Sequence, residues 1–295
     1  MNFVTLIAAA LALAGSSYSL TQRDVFSNSA VHLSRTCADR SGSGFIFFRP
    51  AGTSNEKVGK VFLATNKHVI PPEGVECSLE MRVATTANGA PSIKTVIIPV
   101  VGKDGKYLDT VRLHKENDIA AINVTPQVAA SGMALDFVAV GLLGTKARLK
   151  GTDVALIGDE IYMIGYPAGL YDKRNAFPIW RVGIIATSPL LGYSLPDIIQ
   201  QSLKLPAFID GFLIDAHVYP GSSGSAVVVK PGAISFDAPN IVTSGGPRSI
   251  TYVLGLVSDS IPIGDFEGKV PARIGIGIVQ SADAISETIE AFFKK

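Results

Sequence analysis

The sequence predicts a mostly β chain that closes on one α-helix. Three observations carry this. Short apolar runs recur along the chain, each bounded by glycine, proline, asparagine or aspartate. Glycine (29) and proline (17) are spread throughout rather than clustered. Helical spacing emerges only at the end, where Ala284, Ile285, Ile289, Phe292 and Phe293 recur at helical intervals. Many short strands at turn-marked spacing point to an all-β sandwich or a pair of barrels.

Taken in order, Phe3 to Gly15 is an apolar run too short for a comfortable membrane span. Small residues, Ser16 to Ser19, follow it, so the run is expected to be a secretory signal peptide cut near Ser16 or Ser19. Gln22 to Asn28 is expected to be a polar lead-in, and Ala30 to Leu33 a first short strand. Ser41-Gly42-Ser43-Gly44 predicts a turn before a buried strand over Phe45 to Phe48. Val61 to Thr65 is the next strand, ending at Asn66-Lys67-His68. Leu79 to Ala84 alternates apolar and polar residues, as a half-buried strand does. Thr95 to Val101 and Leu108 to Leu113 flank Gly102-Lys103-Asp104-Gly105, a hairpin signal. Asp118 opens a strand that runs to Val124.

Thr125 to Asp136 reads as a linker to a second half. There, Glu160 to Gly165 is strand-like, Tyr166 to Gly169 a turn, and Ile179 to Ala186 a strand broken by Gly183. Leu191 to Ala207 is a longer excursion, partly helical. Phe212 to Ile214, Ala226 to Val229, Tyr252 to Val257 and Ile274 to Val279 are further strands. Ser281 is placed to cap the final helix, with Lys294 and Lys295 at the negative end of its dipole. No PDZ-like extension is expected after it.

The chain has 295 residues, 47% of them hydrophobic, which is enough for one large domain or two small ones. Net charge is +1 with no long basic run, so a nucleic-acid partner is not expected. No stretch beyond the signal reads as a stable membrane span. The two cysteines, Cys37 and Cys77, lie in the expected exported part, where a single disulfide is expected; two reduced thiols are the alternative. Closing a loop of that length is worth roughly 4 kcal/mol in the chain-entropy account. No Cys/His cluster points to a metal.

The chemistry concentrates in Asp215 to Ala226, a glycine- and serine-rich turn between two strands that carries Ser222, Ser223 and Ser225. A serine hydroxyl is a weak nucleophile and needs a base beside it and donors for a developing oxyanion. The four histidines are His32, His68, His114 and His217, and none follows Ser223. That excludes the order serine, acid, histidine of α/β-hydrolases, and Ser225 breaks their G-x-S-x-G pattern. His32 and His114 are expected to be structural. His68 closes a strand ahead of a Pro-Pro break. Asp118 enters an apolar strand, where a carboxylate requires a partner that an imidazole N–H supplies.

Three segments together resemble the trypsin/chymotrypsin-like serine protease superfamily, in its bacterial branch. Gly42-Ser43-Gly44-Phe45 with Leu63 to Val69, then Asn117-Asp118-Ile119-Ala120, then Asp215 to Ala226 are similar to the high-temperature-requirement (Deg) proteases and to small exported trypsin-like peptidases. The resemblance spans about residues 30–290. It implies two six-stranded antiparallel β-barrels of chymotrypsin type. One would cover residues 28–128 and carry His68 and Asp118; the other would cover 129–295 and carry Ser223 and the C-terminal helix, with the signal peptide over 1–19. It implies Ser223 as nucleophile, His68 as general base, Asp118 as its orienting acid, and the N–H groups of Gly221 and Ser223 as the oxyanion hole. The implied partner is a peptide or protein substrate, and no cofactor or metal is implied.

The chain departs from relatives of this type at two positions. Ser222 replaces the aspartate that pairs with a freed N-terminus in members matured by cleavage, and the usual Asn of the Deg branch. Ser225 replaces a second glycine. The resemblance puts His217 at the base of the substrate pocket, with Val257, Ser258 and Asp259 in its wall. It therefore implies a small or apolar residue on the acyl side of the cut, or an acidic one if His217 is protonated. A protease-fold binding protein without activity, and an esterase using the same residues, are the alternatives.

Overall fold

Phe45, Ile46, Phe47 and Phe48 are buried in succession, which requires a strand with core on both faces. The computed structural model supplies both. It describes residues 22–51, 58–87, 90–133, 135–152, 154–197, 200–201, 207–230, 235–238, 241–243, 251–262 and 273–294. The signal-peptide expectation over 1–19 lies outside them, as do residues 198–199 and 202–206 of the 191–207 excursion.

The described residues open with α1 (Gln22–Ser29), a helix where a polar lead-in is expected. Val25 and Phe26 pack into the core, and Ser29 Oγ donates to the Val25 carbonyl, so two apolar residues suffice to dock it. The first half then runs through β1 (Ala30–Arg35), β2 (Ser41–Pro50), β3 (Gly59–Thr65), β4 (Cys77–Ala87), β5 (Ala90–Val101), β6 (Val111–Leu113) and β7 (Ala120–Asn123). Next come α2 (Thr125–Ser131), within the expected linker, β8 (Val138–Ala139) and α3 (Lys146–Leu149). Pro126 in its first turn and left-handed Gly132 at its end delimit α2.

The strands order as β5-β4-β1-β2-β3-β7-β6, with β8 parallel on β2. This sheet is a half-barrel rather than a closed six-stranded one. β6 has only three residues, so the β5 edge meets the chain before it through a single bridge, Val101 to Tyr107. Ser41 to Gly44, expected as a turn, is the extended start of β2, paired with β1 from Ser34↔Ser41 to Ala30↔Phe45. The second half contains β9 (Glu160–Gly165), β10 (Ile179–Ile185), β11 (Tyr193–Ser194), β12 (Phe208–Ile209), β13 (Gly211–Asp215), β14 (Ala226–Val229), β15 (Ser235–Ala238), β16 (Ile241–Thr243), β17 (Val253–Pro262) and β18 (Arg273–Ser281). Six of these close a barrel in the order β10-β13-β18-β17-β14-β9. Gly183 does not break β10, where it pairs with Ile161.

Three cores result. Ile46 and Phe48 face the interior of the first half, while Val227, Val257 and Val279 fill the barrel. A third core joins the halves, with Phe45, Phe47 and Phe62 from the first against Ile164, Tyr166, Ala226 and Leu256 from the second. The last helix, α4 (Ala282–Glu290), adds Ile285 and Ile289 to this seam. Ser281 caps it as expected, accepting from the Ala284 N–H at 3.3 Å. Phe292 and Phe293 lie beyond the helix and meet Phe62, and Arg49 grips Glu290 through two bonds of 2.7 and 2.9 Å. No described helix is long and apolar enough to cross a membrane.

Candidate active site

His68 lies in the turn that follows β3. The β3–β7 ladder, with Thr65 opposite Ala120, brings that turn to Asp118 although the two are 50 residues apart. His68 Nδ1–H donates to Asp118 Oδ2 at 2.6 Å, and the His68 backbone N–H reaches Oδ1 at 3.3 Å. Buried Asn66 donates to the Asp118 carbonyl at 2.8 Å, so the acid is held from both ends. The pair is not sealed off: the His68 side chain is 48% exposed and Asp118 27%. With Nδ1 held by the carboxylate, Nε2 is left to accept a proton.

A second device holds this turn. Arg35, on β1, donates to three consecutive carbonyls, those of His68 (2.6 Å), Val69 (3.0 Å) and Ile70 (2.6 Å). Burial and the neighbouring Arg40 lower the Arg35 pKa from its usual value, though a guanidinium stays charged. Two residues on, Cys37 is bridged to Cys77 at the head of β4. The disulfide was expected from the sequence; Arg35 was not, because a lone arginine carries no pattern that announces carbonyl partners 33–35 residues away.

Ser223 occupies a loop whose geometry demands glycine at two positions. Gly221 and Gly224 have φ of +85° and +84°. A Cβ on Gly224 would stand 1.8 Å from the Ser43 carbonyl oxygen, and one on Gly221 2.8 Å from that of Tyr166. Ser43, from the other half of the molecule, stitches the loop in place. Its N–H donates to the Ser223 carbonyl (2.8 Å) and its hydroxyl to the Gly221 carbonyl (2.9 Å), while that hydroxyl accepts from the Tyr166 N–H (2.9 Å). The Ala168 N–H holds the Pro220 carbonyl at 2.5 Å. In a trans peptide, this turns the Gly221 N–H to the opposite side from that contact.

Both departures noted in the sequence have partners. The buried Ser222 hydroxyl accepts from Arg181 Nη2 (3.0 Å), whose Nη1 also bonds the His217 carbonyl. Burial lowers the Arg181 pKa. The buried Ser225 hydroxyl donates to Ser43 Oγ at 3.3 Å. Room for it comes from Gly165, where a Cβ would lie 1.9 Å from Ser225 Oγ. Serine at 225 is thus matched by glycine at 165 rather than crowding the loop.

Ser223 Oγ donates to the Ser258 carbonyl at 3.1 Å. That carbonyl sits at a β-bulge in β17, between Val257 and Asp259. His68 and Ser223 line one cavity of about 400 Å³, with Arg40, Ser41, Ala168 and Gly221 among its other walls. The four residues expected around the substrate pocket lie outside this lining. His217 is exposed and stacked on Tyr219, with ring centroids 6.4 Å apart. Val257 bonds Gly224 and Ser225 through its backbone, Ser258 is buried, and Asp259 accepts from the Ser260 N–H. Of the histidines expected to be structural, His32 is buried against Tyr166 and Arg82, and His114 bonds Glu287.

The chain is similar to known proteins. The family model for the trypsin-like peptidase domain matches residues 42–234, a span containing His68, Asp118 and Ser223. A "Serine protease HtrA-like" protein of Staphylococcus aureus (strain USA300) is 23% identical over 244 residues, 81% of this chain and 26% of the relative. The protein of the same description from strain MRSA252 is 24% identical over 213 residues, 72% of this chain and 22% of the relative. The chain thus spans about a quarter of the length of these relatives. Among solved structures, the Rv3671c protease in its inactive form aligns with a TM-score of 0.44 at 18% identity, covering 91% of each chain.

Proposed function

This chain belongs to the trypsin-like peptidase family, and from that premise we propose that it is an exported serine endopeptidase. The observation that carries the proposal is that His68, already bonded to Asp118, and Ser223 face the same cavity. Nε2 of neutral His68 takes the Ser223 hydroxyl proton as Oγ attacks the scissile carbonyl carbon. The carbonyl oxygen becomes an oxyanion that the N–H groups of Gly221 and Ser223 receive; one such donor is worth about 3 kcal/mol in the transition state. The C–N bond then breaks, the imidazolium proton goes to the leaving amine, and an acyl-Ser223 ester remains. Water, deprotonated by the same imidazole, releases the acid. Asp118 keeps the proton on Nδ1 and stabilises the imidazolium.

In the resting geometry the Ser223 hydroxyl is bonded to Ser258 instead of His68, so the attack begins by breaking that bond. This one feature favours the second reading, a protease-fold binding protein. A fluorophosphonate probe separates the two. Labelling of the wild type that disappears in Ser223→Ala is the expected result; no labelling of well-folded wild type would establish the binding-protein reading. Hydrolysis of esters but of no peptide would point to the esterase instead. Export is supported by the apolar N-terminal run and by the Cys37–Cys77 bridge, which persists only in an oxidising compartment. On the acyl side of the cut we propose a small or apolar residue, since no Asp or Glu among the described residues lines the cavity to pair with a basic side chain.

A further inference from the structure

Arg40 lines the cavity beside His68. It stands between the disulfide at Cys37 and Ser41, the first residue of β2. Its backbone is held on both sides: the Arg40 N–H donates to Ala38 at 2.8 Å, and the Arg40 carbonyl accepts from Arg35 at 3.0 Å. Its side chain is exposed, and no described residue makes a hydrogen bond or ion pair with its guanidinium. The other two arginines at the site are occupied. Arg35 is spent on three carbonyls, and Arg181 on the His217 carbonyl and the Ser222 hydroxyl. The chain neighbour Asp39 makes no ion pair with Arg40 and does not line the cavity. Asp118 is already bonded to His68. Among the described residues the cavity therefore presents one permanent charge, a cation that no described carboxylate answers.

We propose that Arg40 forms a substrate subsite that takes an acidic side chain, aspartate or glutamate, of the bound peptide. This rests on the peptidase reading above. A compact space of about 400 Å³ is roughly 9 Å across, and an extended peptide advances about 3.3 Å per residue. The acidic residue consequently falls within about three residues of the cut. A guanidinium fork matches a carboxylate through two parallel N–H···O bonds, which an amide of the same shape satisfies less well. The exposure of Arg40 sets the size of the effect. An open ion pair of this kind discriminates by about three- to fivefold and is screened by salt.

The test uses peptide substrates that differ only by Glu, Gln or Lys at each of three positions on either side of the scissile bond. At low salt, kcat/KM at one position is expected to favour Glu over Gln by about three- to fivefold. The ratio should fall toward one in high salt and in Arg40→Ala, and Arg40→Glu should favour Lys at the same position. Equal rates for Glu and Gln at every position, or a ratio that survives in Arg40→Ala, would overturn the assignment. Fluorophosphonate labelling and cleavage of an all-neutral peptide report the underlying chemistry. If both fail, the peptidase reading falls and this subsite with it; if both succeed without a charge preference, only the role of Arg40 falls.

Discussion

The two halves hold their contributions to the site in different ways. The His68 turn is anchored almost wholly from within its own half, by Asp118, Asn66, the Arg35 clamp and the nearby disulfide. The Ser223 loop is anchored across the seam, because Ser43 of the first half holds the carbonyls of both Gly221 and Ser223. Its own barrel adds Arg181 beneath Ser222 and the Val257 carbonyl on the Gly224 N–H. The first arrangement resists local fraying. The second makes the loop's geometry depend on how the halves dock, so packing at the seam is expected to govern the oxyanion donors.

The largest effect should follow from breaking the seam at its tightest point. Gly224→Ala places a methyl against the Ser43 carbonyl at a positive φ. Strain and overpacking together cost about 4 kcal/mol or more, so fluorophosphonate labelling should fall at least a thousandfold while circular dichroism still reports the β fold. Next, replacing Cys37 and Cys77 by serine tests the self-contained half. Stability against denaturant should drop by about 4 kcal/mol in the chain-entropy account. Labelling unchanged in rate at low temperature would show that the bridge serves folding rather than His68.

The seam also carries a titrating group. Burial, and secondarily the charge of Arg82, push the His32 pKa down from 6.5 to about 4. The unfolded chain therefore takes up a proton that the folded one refuses. This stability is fully present above about pH 6.5 and is lost as pH falls toward 4, by roughly 3 kcal/mol in all. Melting temperature should decline over that window, and His32→Gln should flatten the decline; an unchanged slope would remove His32 as its source.

A smaller contrast compares the two arginine clamps. Arg35→Met should lower kcat about tenfold with little change in KM, as expected when a positioned base loses its support, and Arg35→Lys should recover part of it. Arg181→Met should act more weakly on kcat, because Ser43 continues to hold the loop from the other side. An equal loss in both would erase the distinction between the halves. The smallest effect belongs to Ser225→Gly, which removes one hydrogen bond of a network and should cost about 1 kcal/mol or less.

Much of this was legible in the residues. Strands at Val61 to Thr65, Glu160 to Gly165 and Ala226 to Val229 follow from apolar runs, because burying such runs on a pleated surface is their main source of stability. The pairing of His68 with Asp118 was legible for a related reason, since an acid at the mouth of an apolar strand must find a donor. Three features were not. Residues 22–29 look polar, yet two apolar side chains in that stretch dock them as a helix on the seam. The Ser41 to Gly44 segment has turn composition, but its small residues are what let β2 pass against the Ser223 loop. Arg35, Arg181 and Ser43 are single polar residues whose partners are mostly main-chain carbonyls 33 to 180 positions away, and carbonyls leave no trace in side-chain chemistry.

The sequence by itself determined the β architecture, the order of histidine, acid and serine, and the cysteine pair, because each is written in residue types at short range. Tertiary structure alone decided how the Ser223 loop is held, why Ser225 fits against Gly165, and that Arg40 is the cation in the cavity without a partner among the described residues. Those outcomes depend on distances between segments far apart in the chain, which only the docking of one half on the other sets.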